Sequence, residues 1–183
     1  MAALAGLRCV TSMVQPGEKI MTSYSILKTS MGDLMLVANK TELVGIYFLK
    51  RRHVPATRKS WTLDTSHPVL KQAAKQIKEY LDGNRSSFSL PLASTGTDFQ
   101  KRIWKQIARI PFGKTISYTD LAKRAGAPKA IRAAGAATGR NPLSIIVPCH
   151  RVLGKNNALG GYAGGLKRKR HLLALESVRF EPR

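Results

Sequence analysis

Cys149 and His150 are neighbours whose side chains together can perform nucleophilic chemistry. A thiolate attacks electrophilic carbon, and an adjacent base or a cation such as Arg151 favours the thiolate over the thiol. The preceding apolar residues, 145–147, predict a buried strand that Pro148 ends, so that the cysteine stands at the open end of a rigid element. The alternative is a structural cysteine, because free cysteines are among the most buried residues in proteins.

Two cysteines in 183 residues are too few for a disulfide framework. This indicates a reducing compartment, the cytoplasm or, in a eukaryote, the nucleus. Neither cysteine forms a zinc-ligand spacing with His53 or His67, so we expect no metal, and no dinucleotide or phosphate loop motif points to a cofactor. With 43% hydrophobic residues, the chain can build the core of one ordinary domain or of two small ones.

The chain is strongly basic, with 31 lysines and arginines against 10 acidic residues and a net charge of +21. Residues 91–183 hold 18 basic and 4 acidic residues, and residues 1–90 hold 13 and 6. Nucleic acid is the first candidate partner for such a surface, an anionic membrane is the second, and a merely solvated basic surface is the third explanation. No stretch reaches the roughly 18 apolar residues that cross a membrane, and we expect no membrane partner.

The first half of the chain predicts a small α+β domain over residues 21–90. An antiparallel three-stranded sheet is indicated by three strand-forming runs separated by turn residues, at 23–27, 33–37 and 43–48. Residues 51–65 are polar and basic and predict a loop. Apolar residues at helical spacing predict a helix from His67 to Leu81.

Two segments lack such periodic patterns. Residues 1–20 are a poor secretory signal, and we expect a disordered extension, with a true start at Met21 or an organelle address as alternatives. Residues 83–96 are rich in serine, glycine and proline and predict a linker. A second domain is therefore expected over residues 91–183.

The second domain is predicted to be mostly helical. Thr97 and Gln100 form a capping-box pattern that begins a helix with Trp104 on its apolar face, and Pro111 follows its end. A last helix is expected over residues 166–176. We expect the basic residues at its start to lie in solvent or close to phosphate.

Two short helices, residues 117–126 and 129–139, predict a helix-turn-helix, with Pro128 in the first turn of the second helix. The second helix is rich in alanine and glycine around Arg132, so its backbone can approach a partner closely. The alternative is that these small residues allow tight packing inside the protein.

Short motifs follow one another along the second half of the chain: Trp104, Ile-Pro-Phe-Gly at 110–113, Ile-Ser-Tyr at 116–118, Pro-Lys-Ala-Ile-Arg-Ala-Ala-Gly at 128–135, Asn-Pro at 141–142, Pro-Cys-His-Arg-Val at 148–152, Gly-Tyr-Ala-Gly-Gly at 161–165 and Leu-Leu-Ala-Leu-Glu at 172–176. In this order they resemble the O6-alkylguanine-DNA alkyltransferases. The resemblance is dense from Thr97 to Glu176 and covers the first half in pattern only. It implies an α+β fold with a ribonuclease H-like first domain, then a mostly helical domain with a winged-helix-like helix-turn-helix and the active-site cysteine.

The resemblance implies direct reversal of DNA damage, in which the alkyl group on guanine O6, and also on thymine O4, moves once and irreversibly to Cys149. Glu176 would orient and polarise His150, which would take the proton of Cys149 through a water. Tyr118 would assist the leaving purine and help to rotate the nucleotide out of the stack, and Arg132 would fill the gap in the duplex. The implied partner of the monomeric, cofactor-free protein is double-stranded DNA that contains alkylated bases.

The resemblance also assigns the remaining contacts. DNA contacts are expected, besides Tyr118 and Arg132, from Thr119, Ala133 and Gly135. The pocket for the flipped base is expected to include Asn141, Val152, Tyr162, Ala163 and Gly164. Some bacterial relatives have large residues just after this tyrosine, so the small ones here predict a pocket that accepts benzyl as well as methyl groups. Zinc-bearing relatives use a cysteine and histidine set that this chain does not reproduce, and we expect no metal.

Two other classes of function stay open from the residues alone. A helix-turn-helix DNA-binding protein, or a sensor of damaged DNA, binds without transfer, and its cysteine is structural. The sensors of this lineage replace the cysteine, so the presence of Cys149 disfavours them. A cysteine hydrolase is the weaker alternative, because no oxyanion hole is recognisable.

Overall fold

The computed structural model describes residues 7–8, 21–49 and 60–181, with the backbone alone for residues 7–8. Among these residues the chain forms two compact units, of which the first ends at Thr95 and the second begins at Gly96. The first unit is a sheet with one helix and the second is mostly helical, so the expected α+β class is confirmed. Apart from residues 7–8, the segment expected to be a disordered extension lies outside the described residues.

The first unit is built on a six-stranded mixed sheet. Its strands are β1 (Leu7–Arg8), β2 (Thr22–Leu27), β3 (Leu34–Ala38), β4 (Leu43–Phe48), β5 (Trp61–Leu63) and β6 (Leu92–Ala93). They lie in the order β1-β6-β4-β3-β2-β5. The predicted antiparallel meander is confirmed in β2, β3 and β4, whereas the three short strands pair in parallel with their neighbours.

The short strands β5 and β6 lie where no strand was predicted. β5 falls in the expected loop over residues 51–65, of which residues 51–59 lie outside the described residues, and β6 falls in the expected linker over residues 83–96. Strands of two or three residues are too short to show a period-two pattern. Their pairing is decided by tertiary position rather than by local sequence.

Helix α1 (Pro68–Leu81) packs on the sheet of the first unit. It begins one residue after the predicted start, with His67 as the N-cap and Pro68 in the first turn, where the missing N–H costs no hydrogen bond. The buried face of α1 contains Leu70, Ala73, Gln76, Ile77 and Tyr80. Because β3 is buried along its whole length, the core of this unit lies between that strand and the helix.

Among its described residues, the second unit contains four α-helices: α2 (Asp98–Ala108), α3 (Tyr118–Arg124), α4 (Ile131–Gly139) and α5 (Leu166–Leu175). The capping box before α2 is confirmed, because Thr97 Oγ1 accepts the N–H of Gln100 and the Gln100 side chain accepts the N–H of Thr97. Trp104, on the buried face of α2, donates from Nε1 to the carbonyl oxygen of Ala137 at 2.8 Å and so joins α2 to α4. In the described part of the chain, no helix is long and apolar enough to cross a membrane.

Helices α3 and α4 form the expected helix pair, but the second helix begins later than predicted. Gly126 has a φ of +73°, and the N–H of Ala127 returns to the carbonyl of Ala122, which closes the C-terminus of α3. Pro128 lies in the following turn and not in the first turn of α4, which begins at Ile131. The prediction of a helix from residue 129 was therefore wrong by two residues.

The apolar residues before Cys149 do not form the predicted strand. Residues 144–147 form a buried turn in which Ile145 has a φ of +73°, and the N–H of Val147 donates to the carbonyl of Leu143. A short 3-10 helix (Cys149–Arg151) follows, and a strand of only two residues, β8 (Val152–Leu153), pairs in parallel with β7 (Ile116–Ser117). A short apolar run signals burial, and it does not distinguish a buried strand from a buried turn.

Candidate active site

A pocket of about 460 Å³ opens in the second unit, and Cys149 lies in its wall. Its lining comes from α3, from α4, from the 3-10 helix and from the glycine-rich loop before α5. The lining residues are Tyr118, Ile131, Arg132, Gly135, Thr138, Gly139, Cys149, Gly160, Gly161, Tyr162 and Ala163. Cys149 is 5% exposed, and this pocket gives a ligand access to it.

Asn141 holds the turn that carries the cysteine. Its Nδ2 donates to the carbonyl of Val147 at 2.8 Å and to Cys149 Sγ at 3.3 Å, while its Oδ1 accepts the N–H of Leu143. These side-chain bonds satisfy backbone groups that the predicted strand would have paired in a sheet. Burial raises the pKa of the Cys149 thiol, and the Asn141 amide and the positive charge of Lys169 act in the opposite direction.

His150 and Glu176 form a buried pair. His150 Nε2 lies 2.8 Å from Glu176 Oε1, and the two residues are 0% and 3% exposed. Although burial opposes ionisation, hydrogen bonds from His150 and Arg151 hold the pKa of Glu176 at about 2, so the carboxylate is an acceptor only. The proton of a neutral His150 ring must therefore be on Nε2, which leaves Nδ1 as the basic nitrogen.

Burial also lowers the pKa of His150, against the opposing effect of Glu176. The ring is consequently neutral at neutral pH. A neutral imidazole with a basic Nδ1, directly after a buried thiol in the chain, can accept a proton.

Arg151 is a structural partner of the same carboxylate. Its Nε and Nη2 donate to Glu176 at 2.9 and 2.9 Å, and its Nη1 donates to the carbonyl of Ile110 at 2.6 Å. The N–H of Gly113 also donates to Glu176 Oε2, at 2.9 Å. The carboxylate thus joins the turn before β7 to the 3-10 helix, and Arg151 is a member of a buried ion pair.

Lys169 is a buried residue of the site that the sequence prediction missed. It is 0% exposed, and its Nζ donates to the carbonyls of Val152 at 2.7 Å and Gly160 at 3.5 Å. Burial lowers its pKa from 10.5 to about 8. The expectation of a solvated basic run is wrong for this residue. The missed signal is the helical spacing, which places Lys169 on the same face as the buried Leu172 and Leu173.

Tyr118 forms the wall opposite the glycine-rich loop. Its hydroxyl makes a long hydrogen bond of 3.5 Å to the carbonyl of Gly161. Gly160 packs so tightly against Tyr118 that a Cβ at position 160 would lie 2.8 Å from the tyrosine ring and 3.0 Å from its hydroxyl. An added Cβ at Gly135 would lie 3.8 Å from the same ring, in ordinary van der Waals contact.

The structure gathers most of the predicted site residues around this pocket. Thr119 and Ala133 are exposed on α3 and α4, outside the pocket lining. Asn141 reaches the site through its contact with Cys149 Sγ. Val152 and Gly164 are buried in the described structure without lining the pocket, and their carbonyls accept bonds from Lys169 and Arg168.

The fold and the site define a class of protein: a helix-turn-helix protein with a buried cysteine in a pocket beside the helix pair. Residues 98–178 match the model of the 6-O-methylguanine DNA methyltransferase DNA binding domain, and residues 22–94 match that of the ribonuclease-like domain of the same proteins. The chain therefore belongs to the 6-O-methylguanine DNA methyltransferase family.

Individual relatives agree with this assignment. The chain is 40% identical over 165 residues to the constitutive methylated-DNA--protein-cysteine methyltransferase of Bacillus subtilis. The aligned region covers 88% of this chain and 99% of that protein. A methylated-DNA--protein-cysteine methyltransferase of Methanosarcina barkeri is 42% identical and covers 84% of this chain and 96% of that protein.

Solved structures are similar as well. The O6-methylguanine methyltransferase of Mycobacterium tuberculosis has a TM-score of 0.78 and 41% identity, over 85% of this chain and 93% of that chain. A structure of the OGT of Mycobacterium tuberculosis in complex with DNA has a TM-score of 0.77 and 41% identity, over 84% of this chain and 92% of that chain.

Proposed function

We infer that this protein is a methylated-DNA--protein-cysteine methyltransferase that repairs DNA by direct reversal. It moves the alkyl group from guanine O6 to Cys149 Sγ. The observation that carries this proposal is the buried Cys149 in a pocket wall, followed by a neutral His150 whose basic Nδ1 is set by the ionised Glu176. Family membership supports the same reaction.

The reaction begins with loss of the thiol proton. Because burial raises the pKa of Cys149, the thiol needs a base, and His150 accepts its proton through a water. Glu176 stabilises the imidazolium that forms. The thiolate then attacks the alkyl carbon, and a C–S bond forms as the C–O6 bond breaks.

The electron pair of the broken bond stays on the purine. Tyr118, whose hydroxyl lies in the pocket wall, donates a hydrogen bond or a proton to this leaving group. Over the whole reaction, the proton of the thiol replaces the alkyl group on guanine. The thioether at Cys149 has no leaving group that water can displace, so each protein molecule acts once.

Helix α4 supports binding to the minor groove of double-stranded DNA with an alkylated base. Arg132 is exposed at the start of α4 and also lines the pocket, so it stands where a base leaves the duplex for the pocket. Ala133 is exposed and Gly135 is small, which allows the helix backbone to approach the groove, and the exposed Thr119 extends the contact from α3. O4-alkylthymine is a second substrate by the same chemistry.

We also propose that the protein acts as a monomer in a reducing compartment that contains DNA. One chain supplies the thiol, the base, its carboxylate partner and the pocket, so no second copy is required. The reaction requires a free thiol, which a reducing cytoplasm or nucleus maintains.

The test is peptide mass analysis after incubation with a duplex that contains one O6-methylguanine. We expect one methyl group on the Cys149 peptide and one repaired base per chain, and no repair by Cys149→Ala. Binding of the methylated duplex without an adduct would favour a DNA-binding or damage-sensing protein. Repair of many bases per chain would contradict stoichiometric transfer.

The Arg132→Ala variant distinguishes an effect on base flipping from an effect on the alkyl transfer itself. We expect Arg132→Ala to slow transfer from duplex DNA by about 100-fold, because the gap left by the flipped base stays empty and flipping costs a few kcal/mol. Reaction with free O6-benzylguanine should change less than about twofold, since no base must leave a stack. Arg140→Ala, which removes the same charge at the other end of α4, is the matched control in single-turnover assays. An equal fall in the transfer rate with both substrates would contradict a role of Arg132 in base flipping.

The pocket volume of about 460 Å³ supports acceptance of a benzyl group. We expect free O6-benzylguanine to inactivate the protein. Gly160→Ala should slow this inactivation by about tenfold, because the new methyl group lies 2.8 Å from the Tyr118 ring and one of the two must move. Gly139→Ala adds the same methyl group to the pocket lining where a Cβ has open space, and it is the comparison variant. Equal inactivation of both variants would show that the pocket tolerates the added volume.

A further inference from the structure

We propose that the C-terminal segment Val178–Glu181 sets the width of the alkyl pocket by holding the loop that leads into its wall. The segment positions residues 155–159, and through them Gly160 and Gly161. The proposal rests on the function proposed above and names a positioning element for substrate selection in that same pocket.

Backbone bonds join the segment to the loop. The N–H of Leu159 donates to the carbonyl of Glu181 at 3.3 Å, and the N–H of Glu181 donates to the carbonyl of Asn157 at 3.1 Å. Ala158 and Glu181 form a parallel bridge. The last described residue of the chain therefore pairs with the residues directly before the pocket wall.

Apolar packing also joins the segment to the loop. Leu153, Leu159 and Leu173 form a buried cluster, and Val178 and Phe180 pack against it. Val178 and Phe180 therefore tie the segment to a cluster that includes Leu159 of the loop, and Phe180 is the larger of the two side chains. A phenyl ring contributes a large contact area for a single residue.

The loop needs such support because part of its backbone is in the left-handed region. Asn156 and Asn157 have φ values of +54° and +56°, and Ser177, which turns the chain back after α5, has a φ of +56°. Asparagine tolerates this conformation better than most residues, yet the conformation is strained and persists where surrounding contacts hold it. The N–H of Gly154 adds one such contact to the carbonyl of Ala158, at 2.7 Å.

The position of the loop decides the width of the pocket. Gly160 follows Leu159 directly in the chain. It leaves no room for a Cβ against Tyr118, so the glycine-rich loop and the Tyr118 side chain are already in close contact at this point. Further along the loop, the N–H of Gly165 donates to the carbonyl of Tyr162 at 2.9 Å and closes a local turn. Displacement at Leu159 therefore moves the near wall, where Gly160 meets Tyr118.

The test compares Phe180→Ala with Phe180→Leu, which keeps an apolar side chain, and with Arg179→Ala, an exposed control in the same segment. Transfer from O6-benzylguanine is measured against its concentration. For Phe180→Ala we expect the half-saturating concentration to rise about tenfold, because the wall no longer holds the base, while the limiting rate changes less than twofold. Phe180→Leu should restore most of the affinity. A fall of the limiting rate in proportion to the folded fraction measured by thermal unfolding, with an unchanged half-saturating concentration, would overturn the proposal.

A second measurement does not depend on the repair reaction. Cys149 is alkylated with iodoacetamide and with the bulkier N-benzyliodoacetamide, and the rates are read from the Cys149 peptide. We expect the ratio of the bulky to the small reagent to rise about fivefold in Phe180→Ala, because a loosened wall admits the larger group. An unchanged ratio would overturn the positioning role. A changed ratio in a protein that takes no methyl group from DNA would instead contradict the proposed function alone.

Discussion

Glu176→Gln is expected to lower the free energy of unfolding by about 3 kcal/mol at neutral pH and to slow alkyl transfer by about 100-fold. The carboxylate accepts bonds from His150, from two nitrogens of Arg151 and from the N–H of Gly113. A glutamine amide has one accepting oxygen, so its NH2 group must face at least one of these donors. Arg151 is then left as a buried cation without a counter-charge, and His150 loses the charge that stabilises its protonated form.

The effect on stability depends on pH in a defined direction. The pKa of Glu176 is about 2 in the folded protein, against an ordinary value of 4.5. A lowered acid pKa contributes stability that is complete above pH 4.5 and is lost as the pH falls towards 2. The difference between the wild type and Glu176→Gln should therefore be largest at neutral pH and should narrow below pH 4.5.

Denaturant unfolding at pH 7 and pH 3, with single-turnover transfer at pH 7, measures both effects. Glu181→Gln is the control, because it removes an exposed carboxylate from the same unit. Equal stability of Glu176→Gln and Glu181→Gln would show that the buried network contributes little. A transfer rate close to that of the wild type would show that His150 does not need the carboxylate.

Elements with a strong local signal could be predicted from the sequence. The capping box at Thr97 and Gln100 satisfies backbone groups within four residues, so its pattern alone marks the start of α2. Strands β2, β3 and β4 are runs of strand-forming residues long enough to be recognised, and turn residues separate them. In the candidate site, the adjacency of Cys149 and His150 is local as well.

Features that depend on distant contacts could not be predicted in this way. Gly113 and Glu176 are 63 residues apart, and no local pattern announces the bond between them. Residues 145–147 were expected to form a strand because the run is apolar, but the Asn141 side chain bonds to the backbone and makes the segment a turn. Burial alone does not specify which backbone groups pair.

The charges of the buried site explain why Lys169 matters. Glu176 is matched by Arg151, and His150 is neutral at neutral pH, so Lys169 contributes the remaining positive charge of the group. When Cys149 loses its proton, the thiolate balances that charge. Lys169 therefore favours the reactive form of the thiol, while it opposes a second positive charge on His150.

Lys169→Met is expected to slow transfer at pH 7 by about 10-fold to 100-fold, because loss of the nearby positive charge raises the pKa of Cys149 further and leaves less thiolate. The deficit should shrink above pH 8, where the wild-type lysine, with its pKa of about 8, also loses its charge. Lys167→Met removes the same charge from an exposed position of α5 and is the control. The rate of iodoacetamide alkylation at Cys149, followed from pH 6 to pH 10, measures the shift.

The same substitution should remove a pH dependence of stability. A lysine whose pKa is about 8 when folded and 10.5 when unfolded opposes folding by about 3 kcal/mol below pH 8, and this penalty disappears as the pH rises to 10.5. The wild type should therefore gain stability between pH 8 and pH 10.5 relative to Lys169→Met, in denaturant unfolding at several pH values. Parallel pH profiles for stability and for alkylation in the two proteins would show that Lys169 only fills space beneath the pocket and has no electrostatic effect on Cys149.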